Sequence, residues 1–162
     1  MKALVVFGSK RGGTEGLADM VGDALREQGL DVTVRSAAEH VHDVGTYDVV
    51  VVGGALYAGR WHKDARHFVR GEADTLRDRK VWLFSSGPLS EAAAGADTIQ
   101  PVGQVRGLMD LVGARGHATF GGRLSPDAKG FPASAMAKKN AGDWRDEESV
   151  RQWVKEITTQ LV

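Results

Sequence analysis

Short apolar segments alternate with longer amphipathic segments along this chain. Unbroken or alternating apolar runs predict five β-strands, and apolar residues spaced three or four apart predict four helices. The strands are predicted over residues 3–7, 30–34, 47–52, 81–84 and 117–120, and the helices over 14–28, 61–76, 102–112 and 149–162. Residues 121–145 lack a clear period and are predicted to form a long loop before the last helix.

This order of elements predicts an α/β fold. Strands that alternate with helices form parallel sheets with helices on both faces, joined by right-handed crossovers. Only the second strand alternates cleanly between apolar and polar residues, which favours a position at the sheet edge. We therefore expect a three-layer, doubly wound sandwich whose five-stranded parallel sheet has the order 2-1-3-4-5. The length of 162 residues fits a single domain over 1–162.

Composition excludes several classes of protein. The 21 Lys and Arg residues are balanced by 21 Asp and Glu residues, whereas nucleic-acid-binding proteins usually have a basic excess, so we expect no nucleic-acid partner. The chain has no cysteine, which excludes disulfides, thiolate metal sites and a cysteine nucleophile, and no metal site is predicted. The apolar runs are too short for a signal peptide or a membrane span, so we expect a cytoplasmic protein without an integral membrane segment.

The predicted strand order also predicts where a ligand binds. In an open sheet of this kind, ligands lie beyond the carboxyl ends of the strands, where the strand order reverses. For the order 2-1-3-4-5, that point lies between the first and third strands. The segments that meet there are residues 8–14, 53–61 and 85–91.

The first of these segments suits a phosphate monoester. Its sequence, Gly-Ser-Lys-Arg-Gly-Gly-Thr, joins a strand to a helix, so glycines let backbone N–H groups turn inward beside the positive end of the helix. Ser9 and Thr14 add hydroxyl donors, and Lys10 or Arg11 adds a cation. The segment lacks the endings of a nucleotide P-loop and of a dinucleotide-binding loop. The alternative is a solvated turn in which Thr14 only caps the helix.

Residues 5–21 resemble the phosphate-binding signature of the flavodoxins. The apolar pair, the aromatic residue, the serine, the small residue, the threonine, the alanine and the closing aliphatic residue all match. The resemblance implies a flavodoxin-like fold with FMN as the cofactor. It also implies that the FMN phosphate is wrapped by Ser9, Arg11, Gly12, Gly13 and Thr14.

The second segment suits the flat ring of a flavin. Tyr57 and Trp61 are candidates to stack on the ring, and Gly59 lets the backbone turn a carbonyl towards flavin N5. The alternative for Trp61 is packing in the core, and His62 and His67 are read mainly as polar helix residues. The residues of this segment that we predict to contact the flavin are Ala55, Leu56, Tyr57, Ala58, Gly59 and Trp61.

The third segment departs from ordinary flavodoxins, which offer a second aromatic residue and an acidic stretch here. Its backbone amides and its serine hydroxyls are predicted to bind the pyrimidine edge of the flavin. The predicted residues are Ser85, Ser86, Gly87 and Pro88. One face of the flavin would then be less covered, which suits an enzyme that admits a substrate.

A narrower resemblance comes from residues 54–62, 121–124 and 142–146. They are similar to the bacterial menaquinone-dependent protoporphyrinogen IX dehydrogenases, which are flavodoxin-fold enzymes. This resemblance implies an FMN-dependent oxidoreductase whose partner is a redox protein or a small-molecule substrate such as a quinone or porphyrinogen, with peripheral membrane contact. The stretch 123–155 is nearly neutral here, although that family is more basic in this region. This difference leaves the substrate and membrane contact open.

Charge and composition leave several functions open. Residues 60–80 hold seven Lys and Arg residues against four Asp and Glu residues, which would attract an anionic substrate or simply form a solvated helix face. The alternatives to an enzyme are a flavodoxin-type one-electron carrier and a flavodoxin-fold binding module without FMN or with another flavin-like cofactor. The zero net charge disfavours the acidic docking face of a carrier. No catalytic residue is predicted, and we expect a monomer or a weak homodimer.

Overall fold

The computed structural model describes residues 1–8, 13–39, 41, 43–57, 60–87, 103–121 and 147–161. Their strands are β1 (Lys2–Gly8), β2 (Asp31–Ser36), β3 (Val49–Tyr57), β4 (Arg60–Trp61), β5 (Lys80–Gly87) and β6 (Gly116–Gly121). Their α-helices are α1 (Gly13–Glu27), α2 (Lys63–Gly71), α3 (Ala73–Leu76), α4 (Gly103–Val112) and α5 (Glu147–Thr159), and a 3-10 turn covers Val44–Thr46.

The predicted α/β fold and strand order are confirmed. The main sheet runs β2-β1-β3-β5-β6, and each neighbouring pair is parallel. This is the order 2-1-3-4-5 once the two-residue strand β4 is left aside. That short strand, which the sequence pattern did not predict, pairs antiparallel with the end of β3.

Two strands extend further than the apolar pattern predicted. β3 continues through residues 53–57 and β5 through 85–87, both of which were predicted to be loops. Gly53, Gly54 and Ala55 pair with Phe84, Ser85 and Ser86, so the ladder continues where the apolar run ends. Glycine and serine are poor strand formers by themselves, and hydrogen bonding between neighbouring strands outweighs that preference here.

The segment after β3 also differs from its prediction. A single helix over 61–76 is wrong, because Trp61 belongs to β4 and two helices, α2 and α3, follow. The side chain of His62 caps α2 by accepting a hydrogen bond from the Asp64 N–H at 3.1 Å. The predicted long loop over 121–145 lies outside the described residues, apart from Gly121 at the end of β6.

Both faces of the sheet are covered, which explains why most strands are apolar throughout. Alternate valines of β3 point to opposite cores: Val49 and Val51 pack towards α1 and α5, and Val50 and Val52 pack towards α2, α3 and α4. On the first face, Phe84, Phe120 and Trp153 meet edge to face with ring centroids 5.7–6.2 Å apart. These three rings fasten α5 to the sheet.

Two glycines in β3 are required by the rings that lie against them. A Cβ added at Gly53 would lie 2.0 Å from Cζ of Phe84, and one added at Gly54 would lie 2.6 Å from the indole of Trp61. The aromatic side chains therefore pack directly on the β3 backbone. These close contacts leave no room for a side chain at either position.

We predict that Gly53→Ala destabilises the protein by about 1–3 kcal/mol, because its methyl group would overlap the buried Phe84 ring. Gly107→Ala is the matched control. Gly107 is exposed within α4, and an added Cβ there meets no atom within 4 Å. Since alanine is the better helix former, this variant should gain about 0.5–1 kcal/mol. Urea denaturation measures both values, and equal stabilities for the two variants would contradict the packing account.

Candidate functional site

Buried polar side chains concentrate at one edge of the sheet. Among the described residues, the buried polar side chains are those of Thr14, His62, Ser85 and Ser86. Thr14 follows β1 along the chain, and Ser85 and Ser86 lie near the end of β5. His62 lies beside the end of β3, because its N–H donates to the Ala55 carbonyl at 2.8 Å. Buried polar groups need partners and cost free energy without them, so their accumulation at one edge indicates a functional site.

Strand register brings the three predicted segments together. Gly8 at the end of β1 pairs with Gly54 of β3, and Gly54 pairs with Ser85 of β5. α1 begins at Gly13, shortly after the end of β1. The start of α1 and the carboxyl ends of β1, β3 and β5 therefore form one edge, as the sequence predicted.

A hydroxyl pair joins α1 to β5 at this edge. Thr14 is 1% exposed, Ser86 is 3% exposed, and their Oγ1 and Oγ atoms are 2.5 Å apart. One hydroxyl donates to the other, so the second O–H of the pair remains available to donate elsewhere. The first turn of α1 adds backbone N–H groups that have no partner within the helix. This arrangement can bind an anion at the start of α1.

A second polar pair lies on the opposite face of the sheet. Ser85 Oγ is 3.0 Å from Nε2 of His117 in β6. Burial lowers the pKa of His117 to about 4, so the imidazole is neutral at pH 7. The Nδ1 atom is buried without a hydrogen-bond partner among the described residues. Leaving Nδ1 as an unpaired acceptor costs less free energy than leaving it as an unpaired N–H. This favours the tautomer whose Nε2–H donates to Ser85 Oγ.

The structure places Trp61 in the hydrophobic core, the packing alternative that the sequence left open. Its side chain is 1% exposed and packs in the cluster beneath α2, α3 and α4. Its backbone N–H donates to Gln104 Oε1 at 2.7 Å, and Arg66 Nε donates to its carbonyl at 3.1 Å. These contacts fix the start of α2 at the carboxyl edge, and a role for Trp61 in stacking on a flavin stays a prediction.

The remaining predicted contacts divide into two groups. Ala55, Leu56, Gly87 and the main chain of Tyr57 lie in the extensions of β3 and β5 at the carboxyl edge, and Gly13 starts α1. Contact of any of these residues with a cofactor stays a prediction. The predicted residues that lie outside the described part of the chain are Ser9, Lys10, Arg11, Gly12, Ala58, Gly59 and Pro88.

The sequence pattern did not single out His117, which lies near the amino end of β6 beside Leu83 and reaches Ser85 with its side chain. The sequence did contain a sign of its position, because His117 begins a predicted strand that follows a helix. Its pairing with Ser85 could not be predicted, since Ser85 was expected in a loop whose side chains have no defined face.

Other site types find no support among the described residues. No group of three or more His, Asp or Glu side chains there is placed to hold a metal ion. Within the same residues, no helix combines the length and apolar character needed to cross a membrane.

Comparison with known proteins identifies the family. The model of the family described as "Flavodoxin domain" matches residues 4–131, so the chain belongs to the flavodoxin-domain family. The match includes α1 and β5, which carry the buried hydroxyls of the carboxyl edge. The flavodoxin-like fold implied by residues 5–21 is therefore confirmed.

Solved structures share this fold over essentially the whole chain. A short-chain flavodoxin associated with a non-canonical PDU bacterial microcompartment is 17% identical with a TM-score of 0.69, covering 100% of this chain and 99% of that one. The flavodoxin of Streptococcus pneumoniae TIGR4 is 20% identical with a TM-score of 0.63, covering 99% of both chains. Oxidised Flavodoxin 1 from Bacillus cereus is 17% identical with a TM-score of 0.63, covering 100% of both. At these identities the likeness concerns the fold.

We predict that His117 makes stability fall as the pH falls from about 6.5 to about 4. In this window the unfolded chain protonates His117 and the folded chain does not, since burial lowers its folded pKa from 6.5 to about 4. His117→Gln keeps a hydrogen-bonding side chain without this titration. When the pH is lowered from 7 to 4, the unfolding free energy of the wild type should therefore fall by on the order of 2–3 kcal/mol more than that of the variant. Parallel pH profiles of the two proteins in denaturant titrations would refute this role.

Proposed function

We propose that this protein binds FMN at the carboxyl edge of the sheet and acts as a flavodoxin-type redox protein. The observation that carries the proposal is the buried Thr14–Ser86 hydroxyl pair at the start of α1. It lies within the residues matched by the flavodoxin-domain model. A hydroxyl pair in this position provides an O–H donor and a helix N-terminus at one point, which suits a phosphate group.

The described residues fit such a cofactor. A dianionic phosphate is attracted to the positive end of α1, and the remaining O–H of the hydroxyl pair is a donor for one of its oxygens. Glu15 in the first turn of α1 carries a like charge, but its side chain is exposed, so water screens its repulsion of a phosphate. We infer that Ser9, Arg11, Gly12 and Gly13 complete the phosphate site around Thr14.

The ring of the flavin would then lie over the ends of β3 and β5. We infer that the residues after Gly54 and after Ser86 supply backbone hydrogen bonds to its polar edge. Trp61 and His62 hold β4 and the start of α2 in place through Gln104, Arg66 and the cap at Asp64. FMN, when bound, supplies the one- and two-electron redox chemistry, whereas the chain binds and orients it and limits its contact with water.

A second candidate function is an FMN-dependent oxidoreductase that acts on a quinone or a porphyrinogen. It is favoured by the zero net charge and by exposed cations near the site: Arg60 and Lys63 lie at the junction of β4 and α2. Such cations would attract a carboxylate-bearing substrate, whereas an electron carrier of the acidic type would repel it. The resemblance of residues 54–62 to protoporphyrinogen IX dehydrogenases points to the same chemistry.

We predict that Thr14→Ala weakens FMN binding roughly 10- to 100-fold and changes riboflavin binding by no more than about twofold. The variant removes a hydrogen bond to a charged phosphate, worth about 1.5–3 kcal/mol, and riboflavin carries no phosphate. Quenching of flavin fluorescence measures both affinities. Equal losses for the two ligands would refute the phosphate site, and a wild-type protein that binds neither ligand would refute FMN binding altogether.

The two candidate functions separate in an assay of the FMN-loaded protein. For the oxidoreductase, we expect protoporphyrinogen oxidation with menaquinone as acceptor to exceed the rate with the same concentration of free FMN. Arg60→Glu and Lys63→Glu together should raise KM more than they lower kcat, because they reverse the attraction of an anionic substrate. A rate equal to that of free FMN would leave the carrier as the function.

A further inference from the structure

Two adjacent serines at the end of β5 point to opposite faces of the sheet. Ser85 follows Val81 and Leu83 on the face that packs against α2 and α4, and it meets His117. Ser86 follows Trp82 and Phe84 on the face that packs against α1, and it meets Thr14. Side chains alternate along a strand, so these two hydroxyls have different surroundings and different tasks.

We propose that Ser86 is a positioning residue for the phosphate site, acting through Thr14, and that it does not read the pyrimidine edge of the flavin. This inference rests on the proposed binding of FMN at this edge. Ser86 lies 72 positions from Thr14 in the sequence, and it reaches the start of α1 only because β5 extends through residue 87. The bond therefore fastens the phosphate-binding end of α1 to the central sheet.

The physical task of Ser86 is to fix the direction of the Thr14 hydroxyl. A helical threonine distributes its side chain between two χ1 rotamers. The hydrogen bond with Ser86 favours the rotamer in which Thr14 Oγ1 points to β5, and burial of both hydroxyls makes the alternative costly. The phosphate therefore meets a hydroxyl that is already oriented. Binding then costs less side-chain conformational entropy than it would with a freely rotating threonine.

This role predicts a ligand-selective effect. Ser86→Ala should weaken FMN binding roughly 3- to 10-fold, the effect of one neutral hydrogen bond. Its effect on riboflavin should stay within about twofold, because riboflavin has no phosphate to position. Ser85→Ala is the matched control on the other face of the strand, and it should change the affinities for FMN and riboflavin by the same factor.

A double-mutant cycle tests whether Ser86 acts through Thr14. Fluorescence quenching by wild type, Thr14→Ala, Ser86→Ala and the double variant gives the FMN and riboflavin affinities of each. We expect the double variant to bind FMN within about twofold of Thr14→Ala, because Ser86 has nothing left to position. Thermal unfolding confirms that each variant folds. If Ser86→Ala does not fold, Ser86→Cys, a near-isosteric change to a weak hydrogen-bonding group, should show the same selective loss.

The possible outcomes separate this inference from the function on which it rests. If Ser86→Ala lowers the affinities for FMN and riboflavin equally, or if its effect adds fully to that of Thr14→Ala, the positioning role is wrong while FMN binding stands. If the wild-type protein binds neither flavin, the proposed function is wrong and the inference falls with it. If Ser86→Ala lowers the affinity for FMN alone, and does so only when Thr14 is present, the result supports both the positioning role and the proposed function.

Discussion

The parallel pairing of β1, β3 and β5 fixes where the functional groups of this protein lie. All three strands end at the same edge, and their register places Gly8, Gly54 and Ser85 side by side. Two apolar cores hold that register from opposite faces, because alternate residues of each strand belong to different cores. A slip of one residue would exchange the faces of Ser85 and Ser86, and it would separate each from its present partner.

The same edge combines close packing with buried polarity. Phe84 and Trp61 occupy the space above the two glycines of β3, one on each face, so neither face has room for a side chain there. Thr14 meets Ser86 on one face, and Ser85 meets His117 on the other. These hydrogen bonds replace the ones that each buried hydroxyl would make to water, and the Thr14–Ser86 pair retains an O–H donor for a ligand. The remaining hydrogen-bonding capacity of this edge suits an anion at the start of α1.

Much of this arrangement could be predicted from the sequence. Apolar runs and amphipathic periods gave the strand order, and that order places Thr14 at the carboxyl edge. The anion site at the glycine-rich segment before Thr14 stays a prediction. The extensions of β3 and β5 could not be predicted, because Gly53, Gly54, Ser85 and Ser86 are weak strand formers whose conformation is set by neighbouring strands. For this reason the sequence assigned both serines to one task, whereas strand alternation gives them different partners. Trp61 illustrates the same limit, since an aromatic residue suits a flavin and a core equally well until its burial is known.

A crystal structure of the protein grown with FMN tests the central claim most directly. We expect the FMN phosphate at the N-terminus of α1, with one of its oxygens within hydrogen-bond distance of Thr14 Oγ1 and with the Thr14–Ser86 contact intact. The ring should lie over the carboxyl ends of β3 and β5. FMN bound elsewhere, or a phosphate that does not reach Thr14 while the flavin is present, would contradict it.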